Sequence, residues 1–231
     1  VLFRSAGTEM SQCLSVAMGS IEMSLSNNRM VAETMARGVE AIQRQAVKGD
    51  QTASDWDAAA YQEILTSFVG SNPETFGGGI WFEPYQYRPE QRYFSPYCMR
   101  QNGAVTYVDN YSLGEGVYYT DQDWYTNAAN TTQKSVWSAP YYDEFAQISM
   151  VTSSAPIYDE TGRFLGVATA DIDLTQMQQM VLSLDVVANG RAFLIDDTGV
   201  YIADEDSEKL LSANILEDDN PSFAALGRQI L

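Results

Sequence analysis

Histidine is missing from this chain altogether. Its absence removes the commonest general base and the commonest metal ligand together. Cysteine is nearly missing too, with Cys13 and Cys98 the only two. A disulfide between them and a pair of buried free thiols both remain open. Basic residues are scarce, 13 against 31 acidic ones, for a formal net charge of −18. Nucleic acid needs Lys and Arg patches to neutralise its phosphates, and anionic lipid makes a similar demand, so neither is an expected partner. No run of about 18 apolar residues occurs, so no segment reads as a membrane-spanning helix. Phosphate-binding loops and EF-hand loops are absent, and Gly77-Gly-Gly is too short and lacks the following helix. Ser153-Ser154 has neither a nucleophile-elbow context nor a histidine to activate it. No cofactor and no metal are therefore expected, and no catalytic residue is assigned.

The chain does have bulk. Its 231 residues are 45% hydrophobic and 19% charged, enough for a real core in one large domain or two small ones. The opening Val1-Leu-Phe-Arg-Ser5 looks like a cut edge, and the chain reads as an excised piece of something longer.

Residues 10–48 carry a helical pattern. Leu14, Met18, Ile21, Leu25, Asn28, Ala32, Met35, Val39, Ile42 and Ala46 follow alternate steps of four and three, a heptad seam. Such a helix packs on its own domain, or packs there and also pairs with a second copy, with Asn28 setting the register. Gly49-Asp50 should end it. A second helix is expected over about 54–70, capped by Ser54 or Asp55, with Trp56, Ala60, Ile64 and Phe68 on one face. From Gly77 the character changes to short aromatic and β-branched runs. Strands are expected at 77–82, 91–100, 104–109, 135–140, 148–158 and 164–170, with a short helix capped by Asp123 and running through Asn130. Residues 77–170 thus read as an antiparallel sheet with helical insertions. A connecting helix follows at 174–184. The turn Asp-x-Thr-Gly occurs twice, at 159–162 and 196–199, each time between strands, a hint of two related modules with the second starting near 185. The fold class is α+β, divided as 1–50 (long helix), 51–184 (first sheet module with its connecting helix) and 185–231 (part of a second module).

Sixteen of the 27 aromatic residues fall between Ile80 and Asp143. Most should fill the core. Trp124, Tyr125, Tyr141 and Tyr142 stand beside polar turns and helix starts, where the mouth of a pocket forms. Between Ala104 and Asp173 there are ten acidic residues and only Lys134 and Arg163 as bases. Asp143 follows a strand, and Asp171 ends the apolar run Leu165–Ala170. A buried carboxylate with no cation nearby is costly unless something pairs with it, and a ligand ammonium or imino donor would do so. Aromatic faces would add cation–π attraction of about 0.5–2 kcal/mol. Two other readings stay open. One is an extracellular interaction module with no small ligand; the other is a hydrolase using Asp143 and Asp171 as a carboxylate pair.

The run of motifs is similar to a known family. The long N-terminal helix, Asp123-Trp124-Tyr125, Trp137-Ser-Ala-Pro140-Tyr141-Tyr142-Asp143, the hairpin Ser154–Gly162 and Gly166-Val-Ala-Thr-Ala-Asp171-Ile together resemble the double Cache sensor domains. These are extracytoplasmic parts of bacterial chemoreceptors, sensor kinases and cyclic-dinucleotide enzymes. The resemblance implies a long helix followed by two PAS-like modules, the second truncated here, with ligand in the first. It implies a non-enzymatic sensor on the periplasmic or outer side of the cytoplasmic membrane, belonging to a membrane-anchored parent, with a homodimer through the long helix left open. In the amino-acid-binding branch of that family the matching positions are Tyr118, Trp124, Tyr125, Tyr141, Asp143 and Asp171, with the aspartates facing the ligand ammonium. That branch places an Arg two residues before the Trp to clamp a carboxylate; here the position is Gln122. An amide does not replace a bidentate Arg–carboxylate pair. An amine, or a neutral cyclic ligand such as a nucleobase, is therefore expected in preference to an amino acid.

Overall fold

The computed structural model of the chain describes residues 8–48, 58–108, 111, 116–184 and 191–231, and within the first helix the side chains of 14–44. Several expectations lie outside those bounds: the helix end at Gly49-Asp50, the seam position Ala46, the caps Ser54 and Asp55, the Trp56 contact, and the state of Cys13.

The heptad seam forms one helix, α1 (Thr8–Lys48). From Asn28 to Ile42 the seam packs against the protein's own sheet: Ala32, Met35 and Val39 are fully buried in the main core and Ile42 lies at its margin. Asn28 is fully buried as well, its Nδ2 donating to Ser24 O at 3.0 Å, so it faces its own domain and not a partner helix. The second helix, α2 (Ala58–Ser71), buries Tyr61, Leu65 and Val69, one residue on from the expected face. Tyr61 explains the rotation. Its ring meets Phe82, Tyr87 and Phe94 edge-on at 5.5–5.7 Å, and its hydroxyl accepts from Gln43 Nε2, so Tyr61 takes the centre while Ile64 and Phe68 pack at the margin.

The sheet is antiparallel, from β1 (Gly77–Phe82), β2 (Tyr97–Gln101), β3 (Ala104–Val108), β4 (Val136–Trp137), β5 (Tyr141–Asp143), β6 (Ile148–Tyr158) and β7 (Phe164–Asp173), in the order β3-β2-β1-β7-β6-β4 with β5 also on β6. The strand expected from Gln91 begins only at Tyr97, because Pro96 has no N–H to give the ladder. The short helix α3 (Asp123–Ala129) has Gln122 at its N-cap, without a side-chain cap bond, so Asp123 is its first helical residue and not its cap.

Strand periodicity divides the sheet into two faces. Ile80, Phe82, Cys98, Ala155, Ala168 and Ala170 face α1 and α2, and Cys98 is a buried free thiol. Trp81, Tyr97, Met99 and Val167 face the other way, under the segment that carries Tyr119, Trp124 and Tyr125. Beyond β7, α4 (Leu174–Leu182) leads to the pair β8 (Leu194–Ile195) and β9 (Tyr201–Ala203), and then to α5 (Pro221–Ile230). Ile202 joins Val151, Ile172, Leu174 and Met177 in one apolar cluster, which ties this part to the first sheet. The two Asp-x-Thr-Gly turns are built alike. In each, the aspartate Oδ1 accepts from the Thr backbone and hydroxyl, and the closing Gly162 or Gly199 has positive φ. No described helix is long and apolar enough to cross a membrane.

Gly166 is the tightest point of the sheet. It sits at φ 149°, between Phe82 on one side and Ile157 on the other, and a Cβ there would overlap the Trp81 carbonyl oxygen. Gly166→Ala should therefore destabilise the protein by roughly 2–4 kcal/mol. A urea midpoint unchanged in this variant would contradict the close approach.

Candidate functional site

The face of the sheet away from α1 carries a buried cavity. Strand alternation puts Tyr141 and Asp143 on one side of β5 and turns Tyr142 out to solvent, 52% exposed. The same rule sets Met150 and Thr152 together on β6, and Thr169 and Asp171 on β7. Register then brings Thr152 and Gly77 to either side of Asp171. Trp81, Tyr97, Tyr111 and Trp124 close the space, with Trp81 at their centre: its ring lies 4.7 Å from Trp124, 5.3 Å from Tyr111 and 5.8 Å from Tyr97. None of the ten lining residues is basic.

Both aspartates are buried, Asp143 at 7% and Asp171 at 3% exposure. Asp171 Oδ2 accepts from Tyr97 OH at 2.7 Å and Oδ1 from Thr152 Oγ1 at 2.8 Å. Tyr141 OH sits 2.8 Å from the same Thr152 hydroxyl. Asp143 Oδ1 accepts from Tyr111 OH at 2.5 Å and from the backbone N–H of Ala146 at 2.7 Å. Tyr97 reaches Asp171 across the bare backbone of Gly77, where a Cβ would overlap the Tyr97 hydroxyl. Trp81 Nε1 donates to Thr169 Oγ1 at 2.9 Å, which orients the indole.

Burial dominates the electrostatics. It pushes Asp171 up to about 7; the Tyr97 and Thr152 bonds pull the other way, and Asp143 adds repulsion. Burial, followed by the Asp171 charge, holds Tyr97 and Tyr141 far above the usual phenol range. Tyr111 is raised by burial and then by its bond to Asp143. The three phenols are thus fixed as donors. As the side chains stand, the free space is about 10 Å³, room for about one water.

Four of the seven residues singled out from the sequence line this cavity: Trp124, Tyr141, Asp143 and Asp171. The other three lie outside its lining. Tyr118 is 41% exposed and stacks on Tyr93 at 5.2 Å. Gln122 directs its Nε2 at Tyr118 O, 3.4 Å away. Tyr125 is buried, but its hydroxyl donates to Glu83 Oε2 at 2.7 Å. Sequence reasoning did not single out Trp81, Tyr97, Tyr111, Met150, Thr152 or Thr169. Alternation pairs Trp81 with Gly79 and Thr169 with Asp171, a usable signal; nothing local marks Tyr111. No group of three or more potential metal ligands occurs among the described residues.

A half-open antiparallel sheet with helices on one face and an aromatic, acidic cavity on the other defines a PAS-like sensor module. Residues 61–179, just over half of the chain, match the family described as methyl-accepting chemotaxis protein-like, first PDC sensor domain, and the chain belongs to that family. Methyl-accepting chemotaxis protein McpC of Bacillus subtilis is 38% identical over 84 residues, which is 36% of this chain and 13% of McpC. McpA of Pseudomonas putida is 24% identical over 208 residues, 87% of this chain and 31% of McpA. The chain thus spans under a third of either relative. Among solved structures, the ligand-binding domain of the Campylobacter jejuni chemoreceptor Tlp3 in complex with 4-methylisoleucine superposes with a TM-score of 0.63 at 17% identity, over 94% of this chain and 75% of that one. The ligand-binding domain of the Pseudomonas aeruginosa chemoreceptor PctC, in complex with GABA, gives 0.57 at 18% identity, over 89% and 79%. These likenesses establish the shared fold.

The raised Asp171 makes stability depend on pH. Between about 4 and about 7 the folded state keeps a proton that the unfolded chain has lost, so this contribution is complete below about 4 and is lost as pH rises through 7. Asp171→Asn should remove that slope and leave the variant more stable than the parent at pH 8, by up to about 4 kcal/mol. Parallel stability profiles for the two proteins between pH 4 and 8 would show that Asp171 does not hold the proton.

Proposed function

We propose that this chain is the extracytoplasmic sensing part of a bacterial transmembrane receptor, and that it binds a small polar ligand in the cavity between Asp143, Asp171 and the rings around Trp81. The observation that carries this reading is the lining: two buried carboxylates, five aromatic residues and no basic side chain. Family membership supports the sensing role. The 1–50, 51–184 and 185–231 division fits it, with ligand held in the first module and α1 carrying the signal. The domain acts by binding, not by turnover.

The ligand favoured is an amine; a nucleobase follows, with its imino and amino donors. An ammonium between Asp143 and Asp171 would supply the missing positive charge and draw cation–π attraction from Trp81 and Trp124. It would also release the Asp171 proton below pH 7. An α-amino acid fits less well, because Gln122 stands where the related branch keeps its clamp and the lining offers a ligand carboxylate only like charge. One observation favours an interaction module instead: the cavity holds about one water and both aspartates already have internal donors. On the sensing reading, an entering cation competes with Tyr97 and Tyr111 for the two carboxylates, and the side chains move apart.

A thermal-shift screen of amines, nucleobases, amino acids and organic acids separates the two readings, since a bound ligand stabilises by RT ln(1 + [L]/Kd). An amine or nucleobase should raise the melting temperature, and Asp171→Ala should abolish the rise for a cationic ligand while leaving the fold intact. Retained affinity in that variant sinks the ammonium assignment; no shift from any class favours the interaction module.

The receptor is proposed to pair through α1. Val16, Met23 and Met30 recur every seven residues on the solvent side of the helix and are 73%, 60% and 59% exposed. Met23→Glu with Met30→Glu should lower the dimer fraction in sedimentation at least tenfold. A dimer fraction that does not change places the pairing elsewhere.

A further inference from the structure

A second opening lies away from the aspartate cavity, towards the C-terminal end of α1. It is a cleft of about 410 Å³, within the range of roughly 300–1,000 Å³ that small-molecule sites occupy. Three segments far apart in sequence form it: α1 through Gln43 and Arg44, the connection after β1 through Tyr85 to Pro89, and the β6–β7 hairpin through Asp159 to Arg163. Leu165 and Tyr87, both buried, supply an apolar floor.

Tyr85 is the unusual residue. Gln86 N–H donates to Glu83 O at 2.9 Å and closes a turn with Pro84 and Tyr85 at its centre, and Tyr85 has φ 64°. That third turn position belongs by preference to glycine or asparagine. A tyrosine there is strained, and its ring is 53% exposed, so packing does not offset the strain. The strain holds a flat apolar ring at the edge of the cleft.

The charges complete the picture. Asp159 is engaged in its own turn: Oδ1 accepts from the backbone and hydroxyl of Thr161 and from Arg163 N, and Oδ2 from Arg163 Nε at 3.1 Å. Those bonds, the Thr161 hydroxyl first, lower it to about 2, so it is a satisfied carboxylate. Arg163 commits only Nε there and its side chain is 65% exposed, which leaves its terminal nitrogens open to the cleft. Arg44 makes no hydrogen bond or ion pair among the described residues. Two arginines thus line one cleft in a chain with only 13 basic residues. The opposing charges are Asp159, ionised and paired with Arg163, and Glu160 on the rim.

We infer that this cleft is a second ligand site that takes a small organic carboxylate with a flat apolar body. Arg44 and Arg163 hold the carboxylate, and the body lies over Leu165 against the Tyr85 ring. Carboxylate is favoured over inorganic phosphate because the floor and one wall are apolar. Arg44 belongs to α1 and Arg163 to the sheet hairpin, so an occupant would bridge the helix and the sheet without touching Asp143 or Asp171.

Sodium benzoate is the probe, with sodium chloride at equal ionic strength as control and sodium phosphate as a second arm. Benzoate should give a saturable rise in melting temperature that is lost in Arg44→Gln and in Arg163→Gln and retained in Asp171→Asn. Tyr85→Gly should raise the melting temperature of the free protein by about 2–4 °C, because the turn is relieved, and should weaken benzoate binding at least tenfold. A purely structural Tyr85 would change the first quantity and not the second. Four results would overturn the assignment: no shift beyond chloride, a shift that survives Arg44→Gln, a shift that disappears in Asp171→Asn, or phosphate binding as well as benzoate.

Discussion

The structure turns on burying two carboxylates where no cation is at hand. A lone buried carboxylate costs several kcal/mol, and each one here meets that cost with hydrogen-bond donors from the protein itself. Asp171 draws on Tyr97 from β2 and Thr152 from β6; Asp143 draws on Tyr111 and the Ala146 amide. Much of the local sequence follows from this. Gly77 must lack a side chain so that Tyr97 can reach Asp171. Thr152 must pair across from Asp171, which sets the β6–β7 register. Burial keeps the phenols protonated, and Tyr97 and Tyr111 are buried by tilted and edge-on packing against Trp81. Even so, Asp171 is satisfied well enough to stay folded but not well enough to stay ionised at mildly acid pH.

That same strand is the physical link from cavity to helix. β7 presents Thr169 and Asp171 to the cavity and Ala168 and Ala170 to α1. The small alanines let α1 approach closely, and Met35 lies against the sheet beside Gly78. A change in the charge or position of Asp171 therefore acts on a strand whose opposite face is the seat of α1. Under the proposed function this is the shortest mechanical route from ligand to the signalling helix, and it crosses one layer of the sheet.

The sequence revealed elements better than it revealed contacts. The strand at 148–158 and the helix after Asp173 were legible because their periodicity is local. So were Tyr141 and Asp143 in an aromatic and acidic run, and Asp171 at the end of an apolar one. Tyr97, Tyr111 and Thr152 were not legible, because their role depends on which strands become neighbours: β1 pairs with β7 across about 90 residues of chain. The face of α2 was misjudged by one residue for a similar reason. Ile64 and Phe68 fit a helical stripe as well as Leu65 and Val69 do, and only the ring of Tyr61 against Phe82 decides between them. Asn28 read as a register-setting residue in a pairing seam, because a heptad pattern does not say whether the opposing surface is a helix or a sheet.

Gln122 shows how a residue can point to a conclusion that the structure rests on other residues. Its lack of charge suggested a ligand without a carboxylate, yet its amide turns to Tyr118 O and stays out of the cavity lining. The electrostatic case survives on the lining alone: two carboxylates with no Arg or Lys beside them disfavour an anion there. The guanidinium groups of Arg44 and Arg163 gather at the other opening, where the carboxylate of Asp159 is already tied down. Under the two proposals the openings have opposite preferences, one for positive charge and one for negative. For a ligand carrying both charges, the site it occupies would then report which of its charges matters more.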